Sequence, residues 1–251
     1  MKLFGLIGYP LSHSFSKGYF AEKFSKEKVK NCEYELFPLE KISEFPLLIE
    51  KHKNLAGLNV TIPYKEKIIN YLEKLDNTAK EVGAVNTIKF IHEKNKKNLV
   101  GYNTDVFGFE TTLKPLLESH HAKALILGHG GASKAVRYVL KKIGIECLFV
   151  ELEEYKKEGD ISWNEINENL IKNYFLIINA TPLGMYPKVD EFPKIPYNCI
   201  TPKHLLYDLV YNPEKTKFLE LGEKQGAAIQ NGLQMLHIQA EKSWEIWNTL
   251  S

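Results

Sequence analysis

Ala124-Leu125-Ile126-Leu127-Gly128-His129-Gly130-Gly131-Ala132-Ser133-Lys134-Ala135 decides how this chain is read. A short, continuously apolar run meets a cluster of glycines, and small residues open the segment that follows. A strand buried on both faces gives such a run, and glycines at its end let the backbone turn tightly into a helix. The N–H groups at that helix start carry partial positive charge, so the turn suits a dinucleotide pyrophosphate. Gly-His-Gly-Gly-Ala departs from the strict GxGxxG spacing, and a tight strand-to-helix turn with no ligand uses the same glycines. The spacing before Lys134 does not make a P-loop.

The segments on either side fit the same unit. Lys123–Leu127 is the strand before the loop, Ala132–Ile143 the helix after it, and Cys147–Val150 the next strand. Phe175–Asn179, Leu205–Leu209 and Ala227–Ile229 are further short apolar strands, and Val106–Glu118 reads as a leading helix. Together they predict a Rossmann-like, doubly wound parallel sheet over 106–232. Upstream, strands are expected at Lys2–Gly8, Glu33–Pro38 and Leu55–Thr61, with a helix over Lys17–Glu27. Ile68, Ile69, Leu72 and Leu75 have helical spacing, which predicts a helix over Lys65–Leu75. Ala84–Phe90 and Leu99–Tyr102 read as a hairpin joined by the lysine-rich Glu93–Asn98 turn. The class is α/β, with an N-terminal α/β domain over 1–105 built on a mixed sheet. A long helix, Leu233–Trp247, closes the chain.

Composition narrows the function. The 251 residues carry 33 Lys+Arg against 31 Asp+Glu, a net charge of +2, and 44% are hydrophobic. That balance argues against nucleic acid or a membrane surface as partner. Cys32, Cys147 and Cys199 are scattered, with no CxxC or Cys/His cluster, so neither a disulfide framework nor a metal site is expected. The N-terminal apolar stretch is too short for a signal peptide, and no run nears the ~18 apolar residues of a membrane span. A cytoplasmic protein, monomer or homodimer, is expected. Arg137 is the sole arginine.

The strand after the glycine loop ends Phe149-Val150-Glu151-Leu152-Glu153-Glu154. Glu151 falls about 20 residues past the loop, where an acid bonds a ribose 2′-hydroxyl and repels a 2′-phosphate, favouring NAD over NADP. Lys156 and Lys157 folding back to neutralise a phosphate is one alternative, and a solvated acidic loop is another.

Four polar clusters punctuate the first domain: Gly8-Tyr9-Pro10-Leu11-Ser12-His13-Ser14-Phe15-Ser16, Gly57 to Lys65, Gly83-Ala84-Val85-Asn86-Thr87 and Gly101-Tyr102-Asn103-Thr104-Asp105. Each borders a predicted strand, so their side chains gather at one sheet edge. Hydroxyls, amides, a lysine and an aspartate suit a small, polyhydroxylated, anionic ligand, and a lysine beside a carboxylate can move a proton. Singly, each has a duller reading: Ser14 and Ser16 as helix caps, Asp105 as another, Lys65 as a solvated surface group.

GYPLSHSFS, NVTIPYK, GAVNT, GYNTD, GHGGASKA, NATPLGM, YDLVYNP and NGLQMLHIQA, in this order along nearly the whole chain, resemble the shikimate dehydrogenases. The resemblance implies reversible, NADP-linked reduction of 3-dehydroshikimate to shikimate in aromatic amino acid (chorismate) biosynthesis, with no metal. It implies that Lys65 and Asp105 are the catalytic pair and that Ser14 and Ser16 bind the substrate carboxylate. Asn59, Thr61, Asn86, Tyr211 and Gln239 match partners of the ring hydroxyls or carboxylate. Gly128, Gly130, Gly131 and Ala132 match the pyrophosphate loop, while Thr181, Leu209 and Gly232 fall near the nicotinamide end. The final helix, within 233–251, packs back on the substrate domain by the same resemblance. The chain departs from the family where Glu151-Leu152-Glu153 replaces the usual basic element, and where His129 stands in place of a small loop residue, either on a phosphate oxygen or in solvent. Two rivals share the scaffold: an NAD-preferring quinate/shikimate dehydrogenase and a catalytically silent regulatory protein.

Overall fold

The computed structural model describes residues 1–12, 14–93 and 96–249. The chain divides into two compact units, Met1–Thr104 with the segment from Ala240 onward, and Asp105–Gln239.

The first unit contains β1 (Lys2–Gly8), α1 (Ser16–Lys26), β2 (Cys32–Pro38), α2 (Phe45–Lys51), β3 (Leu55–Val60), β4 (Lys74–Leu75), α3 (Asn77–Val82), β5 (Thr87–Glu93) and β6 (Lys96–Tyr102). The sheet order is β2-β1-β3-β5-β6-β4. β1 runs parallel to β2 and β3, whereas β5 is antiparallel to β3 and β6, so the sheet is mixed as expected. Parallel neighbours need crossovers, which α1 and α2 supply. Alternation along β1 sends Phe4 and Leu6 to one face and Leu3 and Ile7 to the other. The first pair joins Phe20, Phe24, Tyr34 and Trp247, and the second joins Phe45, Leu58 and Ile88. Phe20 stacks on Tyr34 at 4.4 Å and Phe4 on Trp247 at 4.9 Å between centroids. Each such buried ring contributes about 1.5–3 kcal/mol. Gly57 is required here: a Cβ would lie 2.3 Å from the Trp247 indole nitrogen, which donates to the Ile88 carbonyl at 3.0 Å.

The second unit contains α4 (Asp105–Leu113), β7 (Lys123–Leu127), α5 (Gly131–Lys142), β8 (Glu146–Glu151), β9 (Ile161–Ser162), α6 (Glu168–Asn173), β10 (Leu176–Asn179), β11 (Leu205–Asp208), α7 (Lys217–Glu223) and β12 (Ala228–Gln230). α8 (Leu233–Asn248) begins in this unit and ends in the first. The sheet is wholly parallel in the order β9-β8-β7-β10-β11-β12. Strand order reverses between β7 and β10, the switch point beside which doubly wound sheets hold ligands. α5 buries Ala135, Val136, Val139 and Leu140 along one helical face. Among the described residues no helix is long and apolar enough to cross a membrane.

Several expectations need correction. The helix expected over Lys65–Leu75 is a single 3-10 turn, Lys67–Tyr71, followed by β4. Leu72 and Leu75 instead pack onto Gly101, where an added Cβ would meet them at 2.6 and 2.9 Å, and β4 pairs with Val100 and Gly101. The helix expected to reach Glu118 stops at Leu113, because Pro115 sits in the 3-10 turn that follows. The first unit ends at Thr104, since Asp105 already opens α4. The return to it falls inside α8: Met235 and Gln239 pack on Gly108, whereas Ala240 and Trp247 enter the first core. Of the expected Glu93–Asn98 turn, Lys94 and Asn95 lie outside the described residues, as do His13 and the last two positions of 233–251.

Candidate active site

Sequence places the polar residues of the first unit beside strands, and the fold joins several of them into one buried network. Asn59 accepts from the Tyr34 hydroxyl at 2.9 Å, and its Nδ2 faces the Asn86 carbonyl, Thr87 Oγ1 and Ser243 Oγ at 3.0–3.2 Å. Asn86 accepts from the Thr104 N–H at 2.7 Å and donates to its Oγ1 at 2.9 Å. Thr87 and Ser243 share a hydrogen bond of 2.7 Å. A buried amide without partners costs about 1–3 kcal/mol, so this closure fixes both asparagines. Ser16, the first residue of α1, directs its hydroxyl to Tyr34, whose phenol burial pushes up. Ser14 Oγ accepts from the Ser16 N–H at 3.3 Å, so it helps start the helix. Thr61 is half-buried and donates its N–H to the Ile7 carbonyl at 2.9 Å. Lys65 is half-buried, and its carbonyl accepts from the Val85 N–H at 2.7 Å, which ties it to the segment bearing Asn86. Asp105 is buried in the first turn of α4, one residue along the chain from Thr104. Asp105, Tyr211 and Gln239 belong to the second unit, where Gln239 donates to the Leu236 carbonyl at 2.9 Å on α8.

The glycine loop lies at the C-terminal end of β7. Gly128 has φ +94°, and a Cβ on it would meet Thr181 Cγ2 at 2.7 Å. Gly130 caps α5 with extended backbone and no side-chain cap, and a Cβ there would meet nothing within 4 Å. Gly131 and Ala132 form the first turn of α5, and Ser133 folds back on the Gly130 carbonyl at 2.7 Å. Open space before uncapped N–H groups fits a pyrophosphate. Thr181 gives both its N–H and its hydroxyl to Asn179 Oδ1, at 3.1 and 2.6 Å. Asn179 in turn donates to Asp208 at 2.9 Å, and Asp208 also accepts from the Val210 N–H at 2.9 Å and the Thr216 hydroxyl at 2.5 Å. Burial pushes the Asp208 carboxyl up to about 7, against those three hydrogen bonds. Leu209 donates to the Asn179 carbonyl at 2.9 Å, and a Cβ on Gly232 would come within 2.2 Å of the Leu209 carbonyl. Thus Thr181, Leu209 and Gly232 form one edge. Glu151 turns its carboxylate onto the following Leu152 N–H at 2.8 Å. His129 is not in solvent: its ring lies flat on Phe149 at 4.4 Å.

Tyr34, Ser243, Asn179, Asp208 and Thr216 are absent from the site expected from sequence. The available signal was a polar residue ending or interrupting an apolar run, as in Leu176–Asn179 and Leu205–Asp208.

Residues 6–88 match the family model described as the shikimate dehydrogenase substrate binding domain. A shikimate dehydrogenase (NADP(+)) of Carboxydothermus hydrogenoformans is 38% identical over 266 residues, covering 100% of this chain and 92% of the relative. One from Clostridium beijerinckii is 39% identical over 255 residues, covering 98% and 92%. The crystal structure of the Thermus thermophilus shikimate 5-dehydrogenase in complex with NADP(H) and shikimate superposes with a TM-score of 0.85 at 27% identity, covering 100% of this chain and 94% of that one. Identity of this order along the full length, on the same two folds, leaves one assignment: the chain belongs to the shikimate dehydrogenase family.

Proposed function

We propose that this protein reduces 3-dehydroshikimate reversibly to shikimate with NADP, in the cytoplasm, as a monomer or homodimer. The observation that carries the reading is the open, uncapped glycine cradle at the start of α5, in a chain whose relatives are shikimate dehydrogenases of the NADP(+) kind. Three free cysteines suit a reducing compartment.

Bound NADPH supplies the hydride to the ring ketone. Lys65, as an ammonium, protonates the oxygen that develops negative charge, and takes the proton back in the oxidising direction. Asp105 orients Lys65 and accepts from the neighbouring ring hydroxyl. Ser14 and Ser16 hold the substrate carboxylate, while Asn59, Thr61, Asn86, Tyr211 and Gln239 fix the ring. Asn59 and Asn86 are already locked by Thr87, Thr104 and Ser243, so the frame is set before substrate arrives. Gly128, Gly130, Gly131 and Ala132 hold the pyrophosphate, with Thr181, Leu209 and Gly232 beside the nicotinamide. Such positioning supplies much of the rate.

The test is shikimate oxidation followed by absorbance of the reduced nicotinamide, with NADP and NAD in parallel. Turnover favouring NADP is expected. Absence of turnover with either cofactor, or a preference for NAD, overturns the reading. Relatives named for NADP(+) stand against the NAD alternative.

A further inference from the structure

The Asp160 carboxylate, in the segment after β8, faces the glycine loop. Around Gly159, at φ +88°, the Asp160 N–H donates to the Lys157 carbonyl at 3.0 Å and Asp160 Oδ2 accepts from the Lys157 N–H at 3.2 Å. The same Oδ2 lies 3.4 Å from Nδ1 of His129, and the two side chains are only 7% and 9% exposed. His129 Nδ1 is sealed from solvent without a well-formed hydrogen bond. The ring is parallel to Phe149 within 5°, and the Arg137 guanidinium lies 5.3 Å from the same phenyl centroid. Asp160 therefore fixes the backbone of Lys157 next to the loop that receives the pyrophosphate.

The cations nearby are not equivalent. Lys156 is held by Glu153 at 3.3 Å and Glu165 at 3.0 Å. The exposed Lys157 ammonium has no hydrogen bond or ion pair among the described residues. Glu151, the acid expected to repel a 2′-phosphate, is turned onto its own backbone.

Resting on the NADP reading above, we propose that Lys157 and His129, held together by Asp160, bind the 2′-phosphate of the adenosine ribose, where other dinucleotide folds use an arginine. A phosphate monoester is largely dianionic above about pH 6, and an ammonium and an imidazolium make charge-assisted bonds to it. With Nδ1 facing the Asp160 carboxylate, Nε2 is the nitrogen left for phosphate. The charged groups around His129 are Lys134 from α5, Glu151 from β8, and Lys157 and Asp160 from the turn. In the free protein burial and Lys157 hold the imidazole below its ordinary range, against Asp160 and Glu151. A phosphate between Lys157 and His129 neutralises the first and pairs with the second, so binding takes up a solvent proton onto the ring.

Titration calorimetry of the intact protein with adenosine 2′,5′-bisphosphate and with adenosine 5′-monophosphate tests this without turnover. Wild type should prefer the bisphosphate at least about tenfold, with proton uptake and a preference that grows as pH falls from about 8 toward 6.5. Lys157→Ala, on an exposed side chain, should cut the preference about tenfold. His129→Gln should abolish the proton uptake and reduce the preference for the bisphosphate, with its fold checked by thermal unfolding. Asp160→Asn should shift the pH dependence to lower pH, which loss of a purely structural contact does not do. A preference and a proton uptake that survive both Lys157→Ala and His129→Gln overturn the proposal while sparing NADP as cofactor. A wild type with no preference overturns the NADP reading itself.

Discussion

Replacing Asp208 by alanine strips the acceptor from three buried donors, the Asn179 amide, the Val210 N–H and the Thr216 hydroxyl. An orphaned buried donor costs about 1–3 kcal/mol, so the two donors on Oδ1 alone, the Asn179 amide and the Val210 N–H, put the loss at roughly 4 kcal/mol or more. Asparagine keeps one oxygen for Asn179 and Val210 and turns its amide toward Thr216, for a loss of about 1 kcal/mol. The pair also differs in pH dependence. The Asp208 carboxyl is pushed up by burial to about 7, whereas an unfolded aspartate titrates near 4. Between those values the folded chain holds a proton that the unfolded chain has lost, so the contribution is full below about pH 4 and lost as pH rises through about 7. The slope approaches 1.4 kcal/mol per pH unit, or about 4 kcal/mol across the window. Urea unfolding of wild type, Asp208→Asn and Asp208→Ala from about pH 5 to 8 reads this directly. Wild type should lose its advantage over the asparagine variant as pH rises. Parallel stability curves for those two, or an alanine variant within about 1 kcal/mol of wild type, would refute the reasoning.

Lys65→Ala should lower kcat at least about hundredfold with much less change in KM for shikimate, and near wild-type turnover removes Lys65 from the chemistry. Gly130→Ala adds a methyl that meets nothing within 4 Å, so its Tm should match wild type. The methyl occupies the anion cradle, however, and NADP affinity measured by calorimetry should drop about tenfold or more. Gly128→Ala, at positive φ and 2.7 Å from Thr181, should lower Tm as well. Ser243→Ala takes a partner from Asn59 and Thr87, which should cost about 1–2 kcal/mol of stability and raise KM for shikimate but not for NADP.

The inner strands of the second sheet were readable because burial on both faces makes their sequence continuously apolar, as in Lys123–Leu127 and Leu176–Asn179, whereas the two-residue strands β4 and β9 were not. Nor were the short helices. α3 and α6 have six residues each, and α2 and α7 seven, too few turns to show a period. Three of them are set by their caps: Asp76 accepts from the Ala79 N–H, Asn167 from the Leu170 N–H and Thr216 from the Leu219 N–H. Those capping residues stand in the sequence but resemble ordinary loop polarity without the tertiary frame. The glycine loop was legible because strand, turn and helix are contiguous. Ser243 was not, since its partner Asn59 is 184 positions away and nothing local distinguishes a buried serine on α8 from an exposed one.

Asn59 shows why the hidden residues matter as much as those expected to touch substrate. Its Nδ2 has two hydrogens but faces three acceptors, so one acceptor must be satisfied by another donor. The 2.7 Å bond between Thr87 and Ser243 provides that donor, and Thr104, 3.2 Å from both hydroxyls, extends the chain toward Asn86. Hydroxyl rotors let the network re-apportion its hydrogens, whereas the heavy atoms are fixed by β3, β5 and α8. A substrate oxygen that claims one Asn59 hydrogen then displaces a bond that the Thr87–Ser243–Thr104 set can replace, so substrate need not leave a buried group unsatisfied. Asn179 follows the same logic in the second unit, with its oxygen committed to Thr181 and its amide to Asp208. In both units a buried asparagine at the end of a parallel strand turns an apolar sheet edge into a pre-set polar surface, and its rigidity comes from partners distant in sequence.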